Sequence, residues 1–425
     1  MNQIERRVKM FSKRMTRRNF LKTGGIVGGS LIVGGGIGGV WGKRSITQAA
    51  APIDIKIGAL LPLSGTYAIE GVWAKEAGEL IAEEYNKKGR VRVKFLARDD
   101  QTTPGVATSR ARELVENDKV DWLLGTLAGH TALAVNQVSR ETKVPYLCIT
   151  QSDQVMESGE WHRYIFHIAQ TSHMISHAVA GYTAENLGKK WYILIADYAW
   201  GLSNLQGFKA AAKVYGAQVV GEDKHPLGTT DYSTYIPKIL DAKPDVLLVS
   251  QYGRDEINAL KQFHEYGLKK KMHIVNIAIG LPTMKEMGPE AFEGTYSGTM
   301  FYWGVQDRIP SAKKFVSEYI KESGHPPSNM DPHTYGGIIE IVEGILRAGT
   351  KDPEAVIKNM EGHKFDHFRG PEYWRKCDHQ SIHNYFIIKG KSAKEIKGEW
   401  DLAEVAGQYG GEKAFKSCKE LGLSG

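Results

Sequence analysis

One alternation, run twice, constrains this chain more than any other feature. Short β-branched and apolar runs take turns with amphipathic stretches. In the first round, residues 55–61, 91–96, 120–124 and 144–149 read as strands, and 72–88, 104–116 and 130–141 as helices, with Pro104 opening the second. The round then restarts: strands at 164–168, 191–196, 219–221, 245–250 and 273–277, helices at 172–187, 202–215, 232–240 and 254–266. Strand–helix repetition argues for parallel sheets covered on both faces, here an α/β chain of two doubly wound lobes. Ligands of open α/β sheets bind beyond the carboxyl ends of the strands, so two facing edges make a clamp that can close. The last third, with a crossing strand expected at 296–303, helices at 311–322 and 333–348 and a strand at 384–388, has to return to the first lobe.

The amino terminus has a different character. Residues 16–22 read T-R-R-N-F-L-K, followed by a glycine-rich apolar stretch at 24–41, then Lys43-Arg44 and the small run Gln48-Ala49-Ala50-Ala51. A basic head, an apolar middle and a small-residue exit are the parts of an export signal, and the paired arginines resemble the twin-arginine type. A cut near 49–51 is expected. The competing reading is a permanent anchor, since the stretch is about long enough to span a bilayer, although its glycines make it weakly apolar.

Removing residues 1–51 changes the charge argument. They hold ten of the 55 basic residues and one of the 48 acidic ones, so 45 and 47 remain and the body carries a net charge of −2. The basic whole-chain balance therefore gives a nucleic-acid reading no support. The remaining 374 residues are enough for two cores and contain no apolar run of 18, so a soluble body is expected. Cys148 sits in an apolar run and reads as a buried thiol. Cys377 and Cys418 flank the C-terminal segment and are the natural disulfide pair in an oxidising compartment, the alternative being two free thiols.

Catalytic and metal signatures are weak. There is no G-x-S-x-G turn and no H-E-x-x-H pair, so an enzyme is not expected. His173 and His177 share a helix face, and His363, His367, Cys377, Asp378, His379 and His383 crowd one segment, but none has tight zinc spacing. Surface histidines are the expectation, with no metal and no cofactor.

A set of motifs, ordered along residues 53–390, carries a family resemblance. They are I-G-A-L-L-P-L-S-G-T-Y-A-I-E-G from Ile57 to Gly71, D-D-Q-T-T-P-G-V-A from Asp99, and G-T-L-A-G-H-T-A-L-A from Gly125. V-P-Y-L-C-I-T-Q-S-D from Val144, D-Y-A-W-G from Asp197 and K-P-D-V-L-L-V from Lys243 follow. Their order and spacing are similar to type I periplasmic binding proteins of the leucine/isoleucine/valine-binding branch. The resemblance implies a periplasmic solute receptor of an ABC importer, whose partners are a small-molecule solute and the membrane permease and ATPase subunits. It also implies a monomer with no nucleic-acid partner. The implied lobes are 52–168 plus 301–376 and 171–298 plus 379–425, with a multi-strand hinge crossing near 169–171, 297–300 and 377. A ligand-sensing receptor of a signalling system would use the same fold.

The resemblance also points to ligand-binding positions. The Ser/Thr turn that holds a carboxylate in amino acid-binding members falls on Ala128-Gly129-His130-Thr131, where Gly129 or His130 replaces the usual serine. Backbone N–H groups at the helix start, Thr131 and His130 are left for that task, or His130 is an ordinary exposed residue. Thr150, Gln151 and Ser152 form the second first-lobe contact. Glu70 takes a position that is commonly aromatic, and either faces the cleft or points to water. Tyr198, Trp200 and Tyr252 cover the ligand from the second lobe or pack between the lobes. The glutamate that receives an ammonium in amino acid-binding members is missing from Asn276-Ile277-Ala278-Ile279-Gly280. Either Glu70 replaces it, or the solute is an amide or carboxylate without an ammonium.

Overall fold

The computed structural model describes residues 52–156 and 159–423; the expected export signal lies outside the described residues. Five parallel strands form the first sheet: β1 (Ile53–Leu61), β2 (Val91–Asp99), β3 (Trp122–Gly125), β4 (Tyr146–Cys148) and β5 (Ile165–His167), in the order β2-β1-β3-β4-β5. Successive side chains on a strand point to opposite faces, so one core lies on each side of the sheet. Ile57, Ala59, Leu61, Trp122 and Leu124 enter one core, and Leu60, Leu123, Tyr146 and Cys148 the other.

The second sheet repeats the plan. Its parallel part is β6 (Lys190–Ala196), β7 (Gln218–His225), β8 (Val246–Ser250), β9 (His273–Asn276) and β10 (Tyr296–Thr299), in the order β7-β6-β8-β9-β10. Two antiparallel strands, β14 (Asn384–Gly390) and β15 (Ala403–Gly410), extend it beyond β10. A third, small antiparallel ladder consists of β11 (Lys364–Phe365), β12 (Glu372–Trp374) and β13 (Ser381–Ile382). In both large sheets the order reverses beside the first strand, so a crevice opens over the ends of β1 and β3 and again over β6 and β8.

The helices that matter for the site are α1 (Ala68–Lys88), α2 (Pro104–Arg112), α3 (Gly129–Thr142), α4 (Ser172–Asn186), α5 (Ala199–Tyr215), α6 (Ile236–Ala242), α7 (Arg254–Glu265) and α8 (Leu281–Met287). Some expected bounds move for physical reasons. The helix expected from residue 232 begins at Ile236, because Pro237 is tolerated only in a first turn. The strand expected at 219–221 runs on to His225 as a charged sheet edge beside β6. The strand expected over 296–303 ends at Thr299, where the chain leaves the sheet for a short 3₁₀ turn at Trp303–Asp307.

The chain passes between the lobes three times. By sheet membership, it leaves the first sheet after β5 and enters the second at β6, leaves the second after β10, and rejoins it at β14 after the short β11–β13 ladder. Gln380 stitches two of these strands. Its amide donates to the carbonyls of His167 and Ala169 at 3.1 and 2.7 Å, and its Oε1 meets His167 Nδ1 at 2.6 Å. Cys377 and Cys418 form a disulfide with Cα atoms 6.2 Å apart, and Cys148 is a buried thiol.

The C-terminal histidines correct the surface expectation, since His379 and His383 are buried. His363 and His367 bond the two oxygens of buried Glu340 at 3.0 and 2.9 Å, and Trp374 Nε1 donates to it at 2.8 Å. Burial opposes the Glu340 charge, but the hydrogen bonds from His363 and His367 outweigh it and hold the carboxyl at about 2. Among the described residues, no three His, Cys, Asp or Glu are grouped to hold a metal ion, and no helix is long and apolar enough to cross a membrane.

Candidate functional site

Four helix starts meet where the two crevices face each other. Helix α1 begins behind Tyr67, α3 behind Ala128, α5 behind Tyr198 and α7 behind Gly253, and at none of these starts does the cap side chain accept from the helix's first N–H groups. The first N–H groups of a helix have no partner within it, so each start presents donors and partial positive charge.

Between them is a cavity of about 10 Å³, room for roughly one water. Tyr67, Leu127, Gly129, Gln151 and Met330 line it from the first lobe, and Tyr198, Trp200 and Tyr252 from the second. Its rings form a collar. Tyr67 meets Tyr252 at 5.7 Å and 62°, Tyr252 meets Trp200 at 6.3 Å and 71°, and Trp200 meets Tyr198 at 6.1 Å and 39°. The Tyr67 hydroxyl donates to the Tyr198 hydroxyl at 3.0 Å across the cleft. Burial pushes all three phenols up, so they stay protonated and able to donate. Among the described residues, no charged side chain lines the cavity. Among the described residues, Trp200 Nε1 and Gln151 Oε1 are buried polar atoms with no hydrogen-bond partner.

The expected site residues divide into two groups. Gln151, Trp200, Tyr198 and Tyr252 come together on the cavity. His130 does not line it: its Nε2 bonds the Thr102 carbonyl at 2.9 Å, and its ring stands edge-on to Tyr198. Thr131 spends its hydroxyl inside the turn, on Thr126 Oγ1 and the Ala128 carbonyl, both at 2.8 Å. Thr150 is buried, with its carbonyl on His167 Nε2 at 2.5 Å and its hydroxyl among the unpartnered atoms. Ser152 Oγ accepts from Gln154 N at 3.3 Å. Leu127, Tyr67 and Met330 were not expected. Tyr67 sits inside the first motif and was within reach, whereas Met330 precedes a helix of the distant C-terminal third and carries no local signal.

Glu70 points neither to water nor into the cavity. It is fully buried in the first turn of α1 and reaches across to the second lobe, where Thr283 Oγ1 donates to its Oε1 at 2.8 Å. Its Oε2 has no partner among the described residues. A Cβ on Gly280 would stand 2.0 Å from Oε1, so glycine there makes room for the carboxyl. Burial, opposed by the Thr283 hydrogen bond and reinforced by Asp331, pushes Glu70 up to about 8. Two further contacts join the lobes beside it: Ser328 Oγ accepts from Leu281 N at 2.9 Å, and Asn329 Nδ2 donates to the Tyr252 hydroxyl at 3.3 Å.

Two lobes of matching strand order, joined by three crossings and shut on an aromatic cavity, define a two-lobed α/β solute-binding fold. Residues 54–395 match the model of the family described as periplasmic binding protein, and the chain belongs to that family. It is 28% identical over 323 residues to Leu/Ile/Val-binding protein homolog 7 of Brucella suis biovar 1, covering 72% of this chain and 81% of the relative. The amino acid ABC transporter substrate-binding protein of Pseudomonas fluorescens Pf-5 superposes with a TM-score of 0.81 at 25% identity, over 88% of this chain and all of that one. An ABC transporter solute-binding protein of Rhodopseudomonas palustris BisB5, solved with 3,4-dihydroxybenzoic acid, superposes with 0.76 at 26% identity, over 84% and 98%.

Proposed function

We propose that this protein is the exported solute receptor of an ABC importer. It binds a small amino acid-like, amide or carboxylate solute between its lobes and presents the closed form to a membrane permease and its ATPase. The observation that carries this reading is the cavity itself: rings from both lobes meet there, while the chain crosses between the lobes only at the hinge. A solute touching both lobes favours the closed form by its differential affinity for that form. Binding proceeds without chemistry, because the collar offers protonated phenols, an indole and an amide but no nucleophile beside a base. The twin arginines support export to the periplasm in folded form, and a monomer suffices, since both halves of the cleft come from one chain.

The test is a thermal-shift panel of amino acids, amides, and aromatic and aliphatic acids on the exported protein. A true solute at about 100 times its Kd adds roughly 2.7 kcal/mol. A shift that vanishes in Trp200→Ala places the solute in this cleft. A shift that survives unchanged in that variant would refute the site, and no shift from any solute would refute the function.

A further inference from the structure

The lobes also touch outside the cavity, along a second aromatic seam. We infer that this seam is a solute-independent latch. Trp400 of the second lobe locks onto Trp73 and His325 of the first, holds the lobes together, and so sets solute affinity without touching the solute. The affinity half of this inference rests on the receptor function proposed above; the latch itself does not.

Trp400 stands near the end of the loop 391–402 that joins β14 to β15. This loop is built as a rigid arm of the second lobe. Its ends close where Lys391 N donates to the Leu402 carbonyl at 3.0 Å. Asp401 gathers the arm, accepting from Lys397 N at 3.1 Å and pairing with Lys391. Trp303 Nε1 donates to the Trp400 carbonyl at 2.9 Å, and Ile396 and Leu402 pack on the second-lobe core. Lys285 of α8 pairs with neighbouring Glu399 and holds its Nζ 3.8 Å from the centre of the Trp400 ring. A cation over an indole face is attracted by the ring quadrupole, so the second lobe itself positions this ring.

The other contacts of the ring come from the first lobe. Trp73 lies three residues beyond Glu70 on α1, a spacing that keeps the two neighbours on the helix surface. It meets Trp400 at 5.7 Å and 68°, an edge-to-face arrangement that aromatic pairs favour. His325 backs Trp73 at 4.1 Å and stands 6.0 Å from Trp400. Its own ring is fixed by Glu76 at 3.3 Å and by the Pro326 carbonyl at 3.0 Å. None of the three lines the cavity. The seam extends the Glu70–Thr283 contact: α1 supplies the first-lobe side at both steps, and α8 supports the other. Every partner in it is a protein group, so the contact forms on closure with or without a solute. Parting the lobes returns the half-buried faces of both tryptophans to water, which opposes opening. A more populated closed form binds more tightly, because the apparent Kd is the intrinsic one divided by the competent fraction.

Small-angle scattering of the solute-free exported protein tests the latch. Trp400→Ala and Trp73→Ala remove the contact from opposite lobes, and each should give a larger radius of gyration than the parent. The double variant should be no wider than either single one. Trp400→Phe, which keeps a ring for Trp73 to meet, should retain the parent radius. Calorimetry with the panel compound that gives the parent its largest thermal shift should show both alanine variants weakened about fivefold or more, although neither ring lines the cavity. Equal radii for parent and alanine variants would overturn the latch and leave the receptor function standing. Widening in one variant alone, or increments that add in the double variant, would overturn the pairing of the two rings. Wider variants of unchanged affinity would overturn the link to solute binding. A panel without any shift would refute the receptor function, and scattering would still decide the latch.

Discussion

Replacing Glu70 with glutamine should flatten the pH dependence of this protein's stability. The side chain is fully buried, and its carboxyl rises from an ordinary 4.5 to about 8. At about 1.36 kcal/mol per pH unit, that difference corresponds to ~5 kcal/mol between the two protonation states. The sign follows from linkage: below pH 4.5 the carboxyl is protonated in both folded and unfolded chains, and the full stability is present. Between 4.5 and about 8 only the unfolded chain releases its proton, so stability falls by up to ~1.4 kcal/mol per pH unit; above 8 it levels off. Glutamine keeps the shape and still accepts from Thr283, but it has no proton to lose. Asp331, Glu256 and Tyr252, the titratable groups that interact with Glu70, remain in both proteins. Urea denaturation of both proteins at pH 5, 7 and 9 should therefore show the variant gaining several kcal/mol on the parent as pH rises. If the lobes part before the chain unfolds, the loss is capped at the cost of opening. It then appears as a larger radius of gyration for the parent alone above pH 8. Parallel stability curves with equal radii would refute the reasoning, because Glu70 would then be hydrated or ionised at no cost.

Gly280→Ala should hold the cleft ajar, since its Cβ would meet Glu70 Oε1 at 2.0 Å; small-angle scattering should report a wider particle and thermal shift a weaker solute response, with secondary structure intact. Breaking the Cys377–Cys418 bridge by Cys377→Ser should cost about 4 kcal/mol by the loop-entropy estimate for a separation of 41 residues, read as a lower urea midpoint that matches the reduced parent. Glu340→Gln removes a carboxylate that His363 and His367 both bond, and should destabilise by about 3–5 kcal/mol at pH 7. Because the Glu340 carboxyl is held down at about 2, its contribution is present above pH 4.5 and fades as pH falls toward 2, so the variant and the parent should converge in acid.

The two-lobed α/β plan was legible along the chain because strands and helices impose local periods. Trp191, Ile193 and Ile195 face one core of the second sheet while Tyr192 and Leu194 face the other, and no distant contact is needed to see that alternation. Helix starts were also readable where proline marks a first turn, as at Pro104; at Pro237 the same rule was available, but the apolar pattern upstream masked it. The cleft aromatics Tyr198, Trp200 and Tyr252 were reachable because each lies just beyond a strand, where the fold class puts ligands. Side-chain direction was not reachable. Thr131 and His130 lie in the right turn yet spend their polar atoms on Thr126, Ala128 and Thr102, and Met330 reaches the cavity from the C-terminal third. Glu70 shows the division most sharply: its place at the start of α1 follows from the sequence. Its burial, its Thr283 partner and its raised pKa exist only because the second lobe closes over it and removes the water that would otherwise keep it an ordinary carboxylate.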